Sequence, residues 1–317
     1  MSNDNRRNFL KTTATLGIGA LTGLPLNARP ADAEVSAGEL DIHIFSKHLQ
    51  FLDFPAMATA AATIGFTGVD LTVRPGGHVL PENVDRDLPR AVRAIKAAGL
   101  RSQLMTTAIL SADDPLTAGV LRAAANQGIE RYRPGWYPFD TALPVLESLE
   151  HTRRTAAKLA ELNERIGIAG SYQNHAGLSI GANLYEIETI LTGLSNEAMG
   201  CQYDIRHATV EGGRSWPTGL RLIAPRINTM VLKDFRWEQR DGKWQILNVP
   251  IGEGMVDFTA YFRYLKAHQI KVPVSLHCEY DLGGAQHGAR EINVEPEVVY
   301  AAMRKDLLTI RELWRTA

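Results

Sequence analysis

Short apolar runs alternate with longer segments of helical periodicity from Glu39 to the C-terminal end of the chain. A short apolar run bounded by glycine or charge predicts a buried strand, and a longer segment with apolar residues every three or four positions predicts a helix. Glycine follows several of the helical segments, as at Gly99 and Gly128, and is typical of a helix C-cap. Eight such pairs predict a single-domain (β/α)8 TIM barrel.

The alternative architecture is a doubly wound open sheet, but no Gly-x-Gly-x-x-Gly follows the first strand, which counts against a dinucleotide-binding fold. The predicted strands are Leu40–Phe45, Gly68–Val73, Leu100–Thr107, Gly128–Arg133, Gly167–Asn174, Gly200–Ile205, Ile227–Lys233 and Val272–Tyr280. The predicted helices are Phe54–Ile64, Val84–Ala98, Pro115–Asn126, Thr141–Ile166 with Asp140 as N-cap, Leu184–Leu194, Thr218–Ile223, Phe258–His268 and Pro296–Trp314.

One insertion interrupts this alternation after the seventh strand. Asp241-Gly242 lies between two alternating runs in residues 235–246, which predicts a β-hairpin at the active-site end of the barrel. We expect Trp237 and Trp244 to pair across it. The hairpin has two possible roles. It either covers a substrate, or it makes a structural contact with the barrel rim or with another subunit of a homo-oligomer.

The N-terminal segment has the features of an export signal rather than of a folded domain. The Arg6-Arg7 pair is followed by an apolar, glycine-rich run and by Ala31-Asp32-Ala33, which together are typical of a twin-arginine signal peptide. We therefore predict a signal over residues 1–33 and a mature barrel over residues 34–317. The mature protein would be periplasmic, with the twin-arginine export machinery as a transient partner and no membrane association after cleavage.

Charge and cysteine content narrow the function further. The 317 residues carry a formal net charge of −1, which argues against a nucleic-acid partner because such proteins present a basic surface. The two cysteines, Cys201 and Cys278, are too few for a disulfide framework. Their strands are not neighbours, and alternation directs both side chains toward the helical layer, so we predict two free buried thiols.

Polar side chains cluster where the predicted strands end, which is where TIM barrels carry their chemistry. These residues are Asp70, Arg74, Arg133, Gln173, His175, Asp204, Arg206, His207, Lys233, Asp234, His277 and Glu279. Carboxylates and imidazoles at successive strand ends suit a divalent metal bound by oxygen and nitrogen. Such a metal would polarise a substrate carbonyl, and a neighbouring carboxylate or lysine could then move a proton through an enediolate.

Several of these residues also have purely structural interpretations. Asp204 could cap a helix or pair with Arg206, Glu279 could pair with an arginine at the rim, and His277 could be a core histidine. Asp234 points away from the barrel and is expected to be structural. Four arginines could instead hold a phosphate or carboxylate: Arg74, Arg133, Arg206 and Arg214. The glycine loop 283–288 lies where barrels often bind phosphate, although a flexible loop over any ligand explains it equally well.

Five motifs resemble those of the xylose isomerase-like TIM-barrel family, the sugar phosphate isomerase/epimerase group that also includes endonuclease IV-type enzymes. The similarity extends from about Leu40 to Leu313. The motifs are Gly65-Phe66-Thr67-Gly68-Val69-Asp70-Leu71, Gln173-Asn174-His175-Ala176-Gly177, Asp204-Ile205-Arg206-His207-Ala208, Val231-Leu232-Lys233-Asp234 and His277-Cys278-Glu279-Tyr280, with Gly252-Glu253-Gly254 also typical. They specify the fold family and leave the substrate open.

The resemblance implies one divalent metal, Mn, Mg or Zn, held by Glu, Asp, His and Glu at the ends of strands five to eight. Asp204 and Glu279 match two of these positions, but Gln173 and Val231 stand at the other two. His277 or His175 could substitute, the metal could bind weakly with more waters, or Lys233 and the histidines could act without it. His207 matches the family's substrate-contacting histidine.

The leading hypothesis is a metal-dependent sugar isomerase or epimerase that transfers a proton next to a carbonyl. The predicted site has Glu279, Lys233 and His207 as catalytic residues, His175, Gln173, Arg206 and Asp70 as substrate contacts, and Asp204, Glu279 and His277 as metal ligands. A lyase or dehydratase acting on a keto-sugar or 3-keto-glycoside is the first alternative. A non-catalytic periplasmic sugar-binding barrel is the second. A nuclease is disfavoured, since there is neither a multi-zinc ligand set nor a basic face.

Overall fold

Eight parallel strands close into a barrel in the computed structural model, which describes residues 38–317. Neighbours in the barrel follow chain order, and the last barrel strand pairs with the first, as the (β/α)8 prediction requires. The strands are β1 (Ile42–Phe45), β2 (Gly68–Thr72), β3 (Arg101–Thr106), β4 (Arg131–Arg133), β5 (Ala169–Gln173), β6 (Met199–Asp204), β7 (Ile227–Leu232) and β10 (Val274–Leu276), with β8 (Asp234–Arg240) and β9 (Lys243–Val249) forming a separate hairpin. The predicted signal, residues 1–33, lies outside the described residues.

Helices surround the barrel and bury their apolar faces against it. They are α1 (Phe54–Ile64), α2 (Val84–Ala97), α3 (Thr117–Asn126), α4 (Val145–Ile166), α5 (Leu184–Leu191), α6 (Ile205–Gly212), α7 (Trp216–Ile223), α8 (Phe258–Ala267) and α9 (Pro296–Thr316). In the described part of the chain, none is long and apolar enough to span a membrane.

The first helix illustrates how local sequence sets these elements. Asp53 caps α1 by accepting the backbone N–H of Ala56 at 2.9 Å, and Gly65 ends the helix in the left-handed conformation at φ 108°. Met57, Ala61 and Ile64 follow at helical spacing and are buried against the barrel.

Three local predictions were wrong. The helix expected from Thr141 begins at Val145 with Pro144 as N-cap, while Asp140 accepts the N–H of Ala142 in a preceding turn. The helix α6 was not predicted; it follows β6 without a loop. The last barrel strand ends at Leu276, because the chain leaves the sheet as it enters the barrel mouth.

The barrel interior is polar rather than aliphatic near its centre. Asp70 is 1% exposed, and its carboxyl accepts hydrogen bonds from the hydroxyls of Thr106 and Ser275. Burial raises the pKa of Asp70, and the hydrogen bonds from Ser275 and Thr106 offset part of this rise. This network occupies the layer beneath the mouth. Asp70, which the sequence analysis placed among the substrate contacts, links strands β2, β3 and β10 there.

The hairpin turns at Asp241 and Gly242, which have φ of 50° and 75°, as a type I′ turn requires. Trp237 lies opposite Ile246, and Trp244 lies opposite Gln239. The two tryptophans are therefore diagonal neighbours across the hairpin and not directly opposite residues. Their side chains are 40% and 66% exposed, so the structure does not decide between a flap and an interface.

Both cysteines are buried and free, as alternation predicted. Cys278 Sγ lies 3.6 Å from the carboxylate of Asp306 in α9, on the helical side of the barrel. Burial raises the pKa of both thiols, which makes them poor nucleophiles.

We therefore expect two free thiols in the denatured protein and almost none reacting rapidly in the native protein. Titration with a thiol reagent, with and without denaturant and in the absence of reductant, measures both values. A denatured protein without free thiols would contradict the placement of the cysteines on β6 and after β10.

Candidate active site

An ammonium group stands at the centre of the barrel mouth. Lys233, just after β7, is 3% exposed, and its Nζ lies 3.2 Å from Asp204 Oδ2 and 3.1 Å from Glu279 Oε2. The same Nζ lies 2.8 Å from His207 Nε2. Lys233, at the end of β7, thus contacts side chains that lie at or just after the ends of two other barrel strands, β6 and β10.

A second lysine approaches Glu279 from the opposite side. Lys47 Nζ donates to Glu279 Oε1 at 2.8 Å, so each oxygen of this carboxylate has its own ammonium. Burial raises the pKa of Glu279, but the charges of Lys233 and Lys47 hold it well below its usual range. Glu279 is therefore an ionised carboxylate at neutral pH.

Sequence reasoning missed Lys47, although a signal was present. It lies in a short 3-10 helix, Ser46–Leu49, that follows β1 directly. Lys47 follows the end of the first predicted strand by two residues, and strand ends are where TIM barrels carry their site residues. Lys47 forms one recorded hydrogen bond, and an ammonium has three donors, so it can also donate to a ligand.

The 3-10 helix that carries Lys47 is fixed to the glycine loop after β10. Gln50 donates to the carbonyl of Gly288 at 2.9 Å, and His48 Nδ1 lies 3.3 Å from the carbonyl oxygen of Ala285. His48 Nε2 accepts the backbone N–H of Cys278 at 3.0 Å. These contacts set the separation of Lys47 and Glu279, which gives the glycine loop a structural role in this arrangement.

Asp204 serves both the fold and the site. Its Oδ1 accepts the N–H of His207 at 3.1 Å and caps α6, while its Oδ2 accepts the amide N–H of Gln173 at 2.8 Å and faces Lys233. Asp204 is completely buried, and burial raises its pKa although Lys233 opposes this. The helix-cap and site interpretations of Asp204 are thus both satisfied.

Two further histidines line the side of the mouth near β5 and β6. The His175 ring packs between Trp136 and His207, with centroid distances of 4.2 and 4.1 Å. Burial and the charge of Lys233 lower the pKa of His175 to about 4, so it is neutral at pH 7. His207 lies behind Lys233 and accepts the backbone N–H of Ala176 on Nδ1.

His277 lies beside Glu279 at the barrel mouth without a hydrogen bond to it. Its ring stacks on Phe45 with a centroid distance of 4.2 Å, and its Nδ1 lies 3.7 Å from Glu279 Oε1, beyond hydrogen-bond distance. Neither ring nitrogen has a hydrogen-bond partner among the described residues. Burial lowers the pKa of His277 to about 3, although Glu279 opposes this, so the ring is neutral.

Arg206 also differs from its predicted role as a substrate contact. Its guanidinium donates to Asn248 Oδ1 at 2.6 Å and lies 3.0 Å from His207 Nδ1, which ties α6 to the hairpin. Asn248 in turn donates to the backbone carbonyl of Glu279 at 3.3 Å. Arg206 therefore positions His207 and the hairpin.

Two other polar residues singled out in the sequence lie apart from the cluster around Lys233. Arg214 is exposed after α6. Asp234 accepts four backbone N–H groups, those of Phe235, Gly252, Gly254 and Val256.

These groups surround a small cavity of about 50 Å³ at the mouth. Its lining comprises Phe45, Lys47, Arg74, Arg133, Trp136, Gln173, His175, Lys233, His277 and Glu279. The site is thus a carboxylate between two ammonium groups, flanked by aromatic rings, neutral imidazoles and arginines.

The donor set does not fit the divalent cation that the family resemblance implies. The nitrogen of the Gln173 amide faces Asp204, the Lys233 ammonium touches both carboxylates, and Val231 offers no ligand. No group of three or more His, Cys, Asp or Glu side chains among residues 38–317 is arranged to hold a metal ion. A divalent cation between Asp204 and Glu279 would have to displace Lys233, since both are cations and need the same oxygens.

The closed barrel with an ionic cluster at the carboxyl ends of its strands defines an enzyme-like TIM barrel. The chain belongs to the xylose isomerase-like TIM barrel family, whose model matches residues 58–295. A search of curated protein sequences gave no significant match.

Three solved structures illustrate the similarity in fold. The E. coli 3-keto-D-glucoside 4-epimerase YcjR is 14% identical, with a TM-score of 0.63 over 86% of this chain and 100% of that chain. The probable 3-DHS dehydratase AsbF from Bacillus anthracis is 15% identical, with a TM-score of 0.62 over 85% and 99%. A xylose isomerase-like TIM barrel protein from Mycobacterium smegmatis in complex with magnesium is 12% identical, with a TM-score of 0.62 over 89% and 100%.

Removing the central ammonium should destabilise the fold. Lys233→Met leaves the buried Asp204 without its counter-ion, and we expect a loss of about 3–5 kcal/mol in the free energy of unfolding at neutral pH. Burial already raises the pKa of Asp204, and removal of Lys233 favours the protonated acid further, because the neutral acid needs no counter-ion. The loss of unfolding free energy in the variant therefore becomes smaller as pH falls and larger as pH rises. Urea denaturation at several pH values measures it.

The matched control is Lys305→Met, which breaks an exposed ion pair with Glu253 on the surface. This variant should change the stability little, because exposed ion pairs contribute little. Equal, pH-independent effects of the two substitutions would show that Lys233 does not hold the site together.

Proposed function

We propose that this protein is an isomerase or epimerase that transfers a proton at a carbon next to a carbonyl group in a carbohydrate. The observation that carries this proposal is the Glu279 carboxylate held between Lys47 and Lys233. It provides a base beside cationic hydrogen-bond donors, which are the two components that enolisation needs.

The lysines have different roles in this mechanism. Lys233 is already engaged by Asp204 and Glu279, so it orients the base and supplies fixed positive charge. Lys47 has donors to spare, and it donates to the substrate carbonyl oxygen. Burial lowers the pKa of Lys47, although Glu279 opposes this, which makes the amine better able to give up a proton than an exposed lysine.

The reaction begins when Glu279 removes the proton from the carbon next to the carbonyl. The electron pair of the broken C–H bond forms the carbon–carbon double bond of an enediolate, and negative charge develops on the carbonyl oxygen beside Lys47. Return of this proton from Glu279 to the former carbonyl carbon, while the adjacent hydroxyl passes its proton to the enediolate oxygen and becomes the new carbonyl, gives the isomer. Return of a proton to the original carbon from the opposite face gives the epimer. The neutral rings of His175 and His277 can relay protons between substrate hydroxyls because their pKa values lie below neutrality.

A carbohydrate fits the lining of the site. Trp136 and Phe45 contribute apolar surface to the lining, while Gln173 and His175 offer polar groups for the hydroxyls of a sugar. Structures with the same fold include a 3-keto-D-glucoside 4-epimerase, which supports a sugar substrate. Under this proposal the protein acts in the periplasm after twin-arginine export, since residues 1–33 have the features of such a signal.

A lyase is the second candidate, and the similarity of fold to a 3-DHS dehydratase favours it. The first step is the same, because elimination also begins with removal of the proton next to the carbonyl. The enediolate then expels a hydroxyl or glycosidic oxygen instead of being reprotonated. The product mass separates the two reactions, since isomerisation leaves it unchanged.

Deuterium exchange from solvent into the carbon next to the carbonyl tests the proposal directly. We expect NMR to detect exchange with at least one sugar in a panel of aldoses, ketoses and 3-keto-glycosides, with a chelator present. Glu279→Gln should slow it by roughly 10²–10⁴-fold, because the amide cannot accept the proton.

Glu253→Gln, which alters an exposed carboxylate, is the control and should retain full exchange. Equal exchange in the Glu279 variant would refute the role of this base. Sugar binding without any exchange in the wild type would instead support the sugar-binding barrel.

A further inference from the structure

The residues that line the cavity carry an excess of positive charge. Four cations line it, Lys47, Arg74, Arg133 and Lys233, whereas Glu279 is its one carboxylate among the described residues. Asp204, behind Lys233, is completely buried and adds a second negative charge. The two lysines satisfy these two carboxylates, and the two arginines outnumber the one remaining carboxyl group near them, that of Asp70 beneath the cavity.

Neither arginine has a carboxylate partner within the described part of the chain. Arg133 donates only to backbone carbonyls, to Pro134 at 2.8 Å and to Thr107 at 3.5 Å. Arg74 forms no hydrogen bond or ion pair with residues 38–317 that the structure records. The buried Asp70 forms its hydrogen bonds with hydroxyl groups and forms no ion pair with either arginine.

An arginine without a counter-ion is costly at this depth. Arg133 is 3% exposed, and an unpaired charge in such a position is destabilising. Burial and the nearby charge of Arg74 lower the pKa of Arg133 to about 9. An anion between the two guanidinium groups would relieve both the burial cost and their mutual repulsion.

Aromatic rings hold both guanidinium groups at the cavity. The Arg133 Cζ lies 4.2 Å from the ring centroid of Trp136, and the Arg74 Cζ lies 5.5 Å from that of Phe45. Stacking on a ring uses the face of a guanidinium and leaves its in-plane N–H groups for an anion. The geometry is that of a pre-formed anion subsite beside the base Glu279.

We propose that the substrate carries an anionic group, a carboxylate or a phosphate, that binds between Arg74 and Arg133 while the reacting carbon lies at Glu279. This inference rests on the proposed function for the identity of the reaction but not for the presence of the subsite. It narrows the substrate class from carbohydrates to acidic carbohydrates, such as uronates or sugar phosphates.

The test compares sugars that differ only in charge. Isothermal titration of the wild type with D-glucose, D-glucuronate and D-glucose 6-phosphate should give at least one anionic sugar that binds roughly tenfold or more tightly than D-glucose. The preference should weaken with added salt, because ions screen the interaction. Comparison of the two acidic sugars distinguishes a carboxylate from a phosphate.

Arg74→Gln should abolish the preference, while Arg86→Gln, which alters an exposed arginine paired with Asp87, should retain it. Inorganic phosphate and acetate provide a readout independent of sugar shape. At matched ionic strength, at least one should raise the melting temperature of the wild type and of Arg86→Gln but not that of Arg74→Gln, since ligands that bind the native state stabilise it.

Equal affinities for neutral and acidic sugars, together with no stabilisation by either small anion, would overturn the inference. A preference that survives in Arg74→Gln would overturn the location of the subsite. These outcomes are separate from those of the reaction itself. Anion binding without deuterium exchange would support the anion subsite and refute the isomerase. Deuterium exchange in neutral sugars without anion binding would support the isomerase and refute the subsite.

Discussion

The contact of the Lys233 ammonium with Asp204, Glu279 and His207 is the interaction on which the barrel mouth depends. Buried carboxylates repel one another and are costly to desolvate, so they can remain close only around a cation. Lys233 provides that cation from within the chain. Its position fixes the orientation of Glu279, and Glu279 in turn holds Lys47 across the mouth.

A lysine in this place changes the chemistry that the barrel can perform. An ammonium carries a single charge and directional hydrogen-bond donors, whereas a divalent metal can coordinate a carbonyl and a hydroxyl together. One ammonium is a weaker electrophile, and the site compensates with a second one, Lys47, on the other oxygen of Glu279. We infer that an array of fixed cations stabilises the developing negative charge, which is electrostatic stabilisation by preorganised groups.

The alternation of strands and helices predicted the barrel, because several strands are apolar runs, such as β1 and β7, and the helices carry periodic apolar faces. The strand ends also predicted that Asp204, Lys233 and Glu279 lie together. Alternation assigns a side chain to one face of a strand but gives neither its depth nor its rotamer. For this reason the sequence did not show that His277 stacks on Phe45, or that Asp70 is buried and bonds to hydroxyl groups of β3 and β10.

Other features depend on tertiary contacts that a sequence does not display. The separation of Lys47 and Glu279 is set by His48 and Gln50, whose partners lie more than two hundred residues away in the chain. Likewise, the hairpin turn was predicted from Asp241-Gly242, but the pairing of its tryptophans depends on register. A shift of the strand register by two positions would place Trp237 directly opposite Trp244, whereas the observed register makes them diagonal neighbours.

The central claim is that Lys233 occupies the place of a divalent cation, and a metal-binding measurement tests it most directly. The protein would be purified without chelator or affinity metal, dialysed against Mn²⁺, Mg²⁺ or Zn²⁺ in turn, and quantified by mass spectrometry beside Asp204→Ala. We predict no stoichiometric metal in the wild type and no difference between the two proteins. One equivalent of metal in the wild type that is lost in Asp204→Ala would contradict the claim.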